Sequence, residues 1–231
     1  MKARYIPVGW RQLKHNRLRL LAAVAGITFA AVLMLVQLGF RAALFDSGIR
    51  WHKAWDYDIA ILSPKSEYLL ELHDIPRVRV FQAGGVDGVR AVTPVYTKLG
   101  KWRNPEKPKI VWPIFVAAFD PADEGFGGII SPQQQQDLRL DDYYAFDALS
   151  RPEYGPIPAM LETEETVTLE MNGRRIRISG LFEVGNSFGI NGALITSDLN
   201  FLRMFPNRNP SAVTLGLVQL EAGAVAEEVR V

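Results

Sequence analysis

The sequence predicts an α+β protein: one N-terminal transmembrane helix, then a mixed, mostly antiparallel α+β extracytoplasmic domain. Three observations carry this. Residues Leu20 to Phe40 form a run of 21 without a charge. An Asn172-Gly173 pair separates two alternating apolar segments. From position 57 onward, short β-rich stretches alternate with turn residues and short helical patterns.

The charge-free run sets the first element. As a helix it is roughly 31 Å long, the hydrocarbon thickness of a bilayer. Eleven of its residues are Leu, Ile, Val or Phe. Their insertion is favourable by roughly 3–7 kcal/mol, an upper bound because the scale applies to the helix centre. Gln37 is its one strongly polar side chain and lies near an end. A cleaved signal peptide would have an apolar region of about 7–15 residues and an A-x-A-like site. The run is longer, and Arg41-Ala42-Ala43-Leu44-Phe45 is a poor site.

The flanks give a direction. Lys2, Arg4, Arg11, Lys14, Arg17 and Arg19 precede the run, and no acid does. The positive-inside rule puts the N-terminus in the cytosol and residues after 41 outside. Within 5–19, Trp10, Arg11, Lys14, Arg17 and Arg19 mix with apolar residues. That pattern reads either as an amphipathic helix on the cytosolic membrane surface or as a basic flank that only sets topology. Ala22, Gly26 and Ala30 fall in one row four residues apart. Such a row either packs a second helix or reflects the frequency of Ala in membrane helices. The expected divisions are 1–19, a cytosolic basic amphipathic segment; 20–40, the transmembrane helix; and 41–231, the extracytoplasmic domain.

From Arg41 onward there are 20 Lys+Arg against all 25 Asp+Glu of the chain. A mildly acidic domain argues against nucleic acid as a partner. The absence of cysteine excludes disulfides and thiolate metal sites.

The domain reads as follows. A helix continues from Arg41 to Trp55. Tyr57 to Leu62 is a strand closed by Ser63-Pro64, and Ser66 to His73 a possible helical turn. Arg77 to Phe81 fits a strand or a helix entering Gln82-Ala83. Val89 to Thr97 and Ile110 to Phe119 are strands, and Gln133 to Gln136 with Asp141-Asp142 an exposed loop or helix start. Thr166 to Met171 and Arg174 to Ser179 form a hairpin across Asn172-Gly173, the preferred two-residue turn. Gly180 suggests a bulge before Leu181 to Val184. Ala193 to Thr196 is a strand, Asp198 caps a helix through Met204, Val213 to Leu220 is a strand, and Gly223 opens a helix.

No constellation of residues points to catalysis, a cofactor or a metal. His15, His52 and His73 lack metal-ligand spacing. Glu162, Glu164 and Glu165 read as a solvated lead-in to a strand. Gly185 to Gly192 lacks the Gly-Lys-Ser/Thr ending of a phosphate loop and reads as a loop joining two strands. With no nucleotide motif, the chain is not expected to be an enzyme.

The stretch Trp10-Arg11-Gln12-Leu13-Lys14-His15-Asn16-Arg17-Leu18-Arg19-Leu20-Leu21 is followed by Ala25-Gly26-Ile27-Thr28-Phe29-Ala30 and by Gln37-Leu38-Gly39-Phe40-Arg41-Ala42-Ala43-Leu44-Phe45-Asp46. Together these resemble the start of DevC-type ABC exporter permease subunits, in the MacB/FtsX permease superfamily. Gly180-Leu181-Phe182, Phe188 to Leu194, Leu215 to Leu220 and Gly223-Ala224 resemble that family's outer domain. The resemblance spans essentially the whole chain. It implies a permease with four membrane helices, three of them following the periplasmic domain, so that this chain would be truncated within that domain. It also implies partners: a cytosolic ABC ATPase subunit, a periplasmic membrane-fusion adaptor, an outer-membrane channel, a second permease copy in the full-length form, and the lipid bilayer. ATP-driven movement would pass to the periplasmic domains and push cargo outward, the cargo itself being left open. The alternative on the residues alone is a single-span anchored binding or sensor domain with no transport role.

Overall fold

The structure, a computed structural model, describes residues 17–67, 69–70, 72–126, 128–227 and 229. It divides into two compact units, Met1–Asp46 and Ser47–Val231.

The described part of the first unit is helical. Helix α1, Arg17–Gly48, runs for 32 residues and ends within the second unit. Its Leu- and Ala-rich composition favours helix, and no proline interrupts it. None of its residues is buried, and Leu21, Ile27, Phe29, Leu35 and Phe40 are all exposed. An apolar surface of this extent is stable in lipid rather than in water.

The second unit opens with a break at Ile49 and the short helix α2, Arg50–Ala54. The expected continuation from Arg41 to Trp55 is therefore helical with one interruption. Ten strands follow: β1 Ile59–Ile61, β2 Ile75–Pro76, β3 Val89–Arg103, β4 Val111–Phe119, β5 Tyr143–Asp147, β6 Val167–Met171, β7 Arg174–Phe182, β8 Ala193–Ser197, β9 Ala212–Val213 and β10 Leu215–Leu220. The helices between them are α3 Arg77–Ala83, α4 Pro132–Asp137, α5 Ile157–Leu161 and α6 Asp198–Met204.

Eight strands form one sheet in the order β1-β10-β3-β4-β8-β5-β7-β6. Two neighbouring pairs, β4–β8 and β5–β7, are parallel and the rest antiparallel, as the predicted class requires. The last strand returns to β3 through Trp102 opposite Met171. Asn172 strengthens that closure: its N–H donates to the Lys101 carbonyl at 2.9 Å, and its side-chain oxygen accepts from the Lys101 N–H at 2.8 Å. The six strands from β3 round to β6 thus form a closed ring. Pro94 falls in the half of β3 that has a strand on one side alone, where a missing N–H costs no ladder bond.

Two apolar clusters cover the two faces of the sheet. Ile114, Val116 and Ala118 of β4 point into one, with Trp102, Tyr144, Phe146, Met171, Ile176 and Leu194. Phe115, Ala117 and Phe119 point into the other, with Trp51, Trp55, Phe126, Phe182 and Ile195. A strand buried on both faces reads as a continuous apolar run, and β4 and β8 do.

Local expectations fared unevenly. The hairpin holds: Thr168 faces Arg177, Glu170 faces Arg175, and Asn172 and Gly173 have φ of 53° and 77°. The bulge is present where β7 meets β5, since Tyr144 pairs Ile178 and Ala145 pairs Gly180, leaving Ser179 as the extra residue. β7 nevertheless continues unbroken to Phe182. The ambiguous Arg77 segment is helix, with Val80 buried and Val78 exposed. Gly216 has no Cβ because one would sit 2.7 Å from Val80.

Three expectations are corrected. The cap of α6 is Ser197, whose Oγ accepts from the Asn200 N–H; Asp198 is the first helical residue, because Ser197 has the extended backbone of a cap. Gly223 opens no helix among the described residues: 222–223 and 226–227 are turns, and Gly223 itself has φ of 94°. Thr214 splits the last expected strand, because Val213 pairs with β2 while Leu215 onward pairs with β3.

Candidate functional site

Ala22, Gly26 and Ala30 lie exposed on α1, and a Cβ at Gly26 would meet nothing within 4 Å. The row is thus open surface. Arg17 and Arg19 lie in the first turn of α1. Trp10, Arg11 and Lys14, with the rest of the amphipathic segment up to residue 16, lie outside the described residues.

The second unit builds a platform around its first residues. Trp51, fully buried on α2, meets Phe115 edge-on at 5.0 Å, Trp55 at 5.8 Å and Phe182 at 6.0 Å. The segment after α1 is thus core and not linker. Beside it runs the Gly185–Gly192 loop, which joins β7 to β8 as expected. Ser187 and Ile190 exchange two backbone hydrogen bonds of 2.9 Å, and the Ser187 hydroxyl donates to the Ser47 carbonyl.

Asp147, at the end of β5, holds this loop. The residue is 1% exposed, and its carboxylate accepts from the N–H groups of Leu149 at 3.0 Å, Val184 at 3.3 Å and Gly185 at 2.8 Å. Burial raises its pKa, and the three N–H groups act against that rise. No motif marks Asp147, because β5 is not among the strands the sequence predicts. Its one cue is Tyr-Tyr-Ala-Phe between acidic residues.

Other titratable groups also serve the fold. His52 Nδ1 lies 2.8 Å from the Tyr57 hydroxyl, and burial lowers its pKa. Arg208, its side chain 8% exposed, lies over the Tyr96 and Phe201 rings and donates to Thr97 O, Thr214 Oγ1 and Asp74. Burial, reinforced by Asp120 and Asp198, pushes the Asp123 carboxyl up to about 6, while Arg77 pulls the other way. Glu162, Glu164 and Glu165 are exposed, as a solvated lead-in should be. Among the described residues, no group of three or more His, Asp or Glu is placed to hold a metal ion. An apolar groove of about 560 Å³ separates β1 from α3, lined by Ile59, Ile61, Ile75, Val86 and Val218 among others.

No family model matches the chain, and no curated protein matches it. Solved structures do. The periplasmic region of MacB from Actinobacillus actinomycetemcomitans aligns with a TM-score of 0.50 and 11% identity, over 73% of this chain and 77% of that one. The extracellular domain of the noncanonic ABC-type transporter YknZ from Gram-positive bacteria aligns with a TM-score of 0.46 and 13% identity, over 68% and 76%. The second unit has the fold of the MacB periplasmic region.

Proposed function

We propose that the chain is a non-catalytic membrane subunit of a DevBCA/MacB-like ABC exporter. One observation carries the reading: a unit with the fold of the MacB periplasmic region follows directly on an apolar, unburied 32-residue helix. In this reading α1 crosses the inner membrane, with residues 1–19 in the cytosol and 41–231 in the periplasm. A separate cytosolic ABC subunit hydrolyses ATP, and a periplasmic membrane-fusion adaptor receives the resulting movement. Trp51 and Trp55 suit such a role, because a segment that transmits force into a domain has to be packed into its core.

Two measurements test this. A cysteine at Ser131, unique in a chain without native cysteine, should react with an impermeant reagent in intact spheroplasts; labelling only after lysis reverses the topology. Tagged full-length chain, purified from its native membrane, should bring an ABC ATPase and a periplasmic adaptor in fixed ratio. Recovery of neither overturns the exporter reading and leaves an anchored binding domain.

A further inference from the structure

We propose that the two loops gathered around Asp147 form a foot that rests in the headgroup layer of the bilayer crossed by α1. The proposal rests on α1 spanning a membrane and goes beyond the exporter reading, which requires no such contact.

Scattered exposed apolar side chains need no explanation. Here they cluster. Leu149 is 51% exposed, Phe188 58% and Ile49 37%. Gly185 brings Leu149 beside the residue that follows Ile49: a Cβ there would lie 3.4 Å from Leu149 and 3.0 Å from the Arg50 guanidinium. Ser187, next to Phe188, bonds the Ser47 carbonyl, and Ile49 lies two residues beyond Ser47. Arg151, whose N–H donates to the Asn191 carbonyl at 2.9 Å, is exposed beside the same loop, as is Arg50. Glu183 is the nearby acid on the β7 side. The tips are also held firmly, since one buried carboxylate bonds both loops.

The place along the chain selects lipid as the occupant. Ser47 follows Phe40, the end of the charge-free run, by seven residues, about 10 Å of helix rise. The interfacial layer is about 5–8 Å deep on each side, and spanning helices tilt by about 20° on average. Ser47 therefore falls near the outer rim of the headgroups, and the exposed Phe188 follows directly on the residue bonded to it. Aromatic and aliphatic tips among arginines suit that layer, where acyl-chain boundary and phosphate lie together. Three part-exposed side chains fall far below the ~800 Å² per partner of a stable protein interface.

The test uses the full chain in nanodiscs, whose two faces are both open to solvent. An environment-sensitive fluorophore is attached at Phe188→Cys, at Leu149→Cys or, as a control, at Lys107→Cys, an exposed site in the β3–β4 connection. Labels at 188 and 149 should be quenched at least twofold more than at 107 by headgroup-spin-labelled lipid, and at least twofold less by aqueous iodide. Equal iodide quenching at all three sites overturns the proposal. Protection from both quenchers also overturns it and assigns the patch to a protein partner. Resistance to alkaline extraction is read separately. An inserted chain with an aqueous Phe188 site loses the foot alone, whereas an extracted chain loses the anchor and the foot together.

Discussion

Truncating Trp51 should unfold the second unit more readily than any surface change. The indole is fully buried and ringed by Phe115, Trp55 and Phe182, with centroids 5.0–6.0 Å away. Trp51→Ala loses the transfer free energy of the indole and leaves a cavity that three rigid rings cannot close, about 3–5 kcal/mol. For a unit of this size each kcal/mol lowers Tm by about 2–4 °C, so the fall should be roughly 6–20 °C. The indole N–H finds no acceptor among the described residues. Trp51→Phe keeps most of the ring contact and deletes that unpaired donor, so it should cost less than about half as much. The assay is thermal unfolding of the full chain in nanodiscs, followed by intrinsic fluorescence. A Trp51→Ala shift under 2 °C, or a Phe variant as damaged as the Ala variant, would refute the claim that the segment after α1 is core.

Three other outcomes follow from the structure. Gly173→Val forces a β-branched side chain to φ of 77° and should cost at least about 1–2 kcal/mol, read as a lower midpoint in denaturant; an unchanged midpoint contradicts the turn. Asp123 is held near 6 in the fold against 3.8 when free, so the folded state binds the extra proton between those values. Its contribution to stability is full below about pH 3.8 and is lost as pH rises through 6; Asp123→Asn should flatten that part of the stability–pH curve, and an unaltered slope counts against the burial. In the exporter reading, where the Ala22-Gly26-Ala30 row is proposed to pack a second copy, Gly26→Ile should separate the two while leaving insertion intact, because Ile inserts at least as well as Gly. Energy transfer between labelled copies should fall several-fold in lipid, and equal transfer leaves the Ala22-Gly26-Ala30 row facing lipid.

The sequence-level reading succeeded where one local rule decides the structure. A charge-free run needs no tertiary partner to be a helix. Asn172-Gly173 dictates its own turn, because few other residues accept two successive positive φ values. It failed where partners decide. β5 is short and enclosed between β7 and β8, so its aromatic residues carry no alternation to read. The α6 cap was misplaced by one residue because Ser197 and Asp198 are both good caps, and only the end of β8 chooses between them. The Gly223 segment lacks the apolar periodicity that would have told turn from helix.

The platform was hidden for a related reason. Its residues come from four places in the chain: Ser47 to Trp55, Asp147 to Arg151, Phe182 to Asn191, and Phe115 on β4. Nothing in their spacing links them, because the links are a ring contact and bonds from a carboxylate and a hydroxyl to backbone groups. A side chain that bonds backbone N–H groups puts no requirement on its partners' identities, so the partners leave no motif. What the sequence does carry is composition: a second-unit start with Trp51 and Trp55 in five residues is too aromatic for a linker. Such a pair shortly after a long apolar helix signals that the segment following the helix is packed into the domain. The Trp51 substitutions measure whether that segment is core rather than tether, which the proposed passage of movement from α1 into the domain requires.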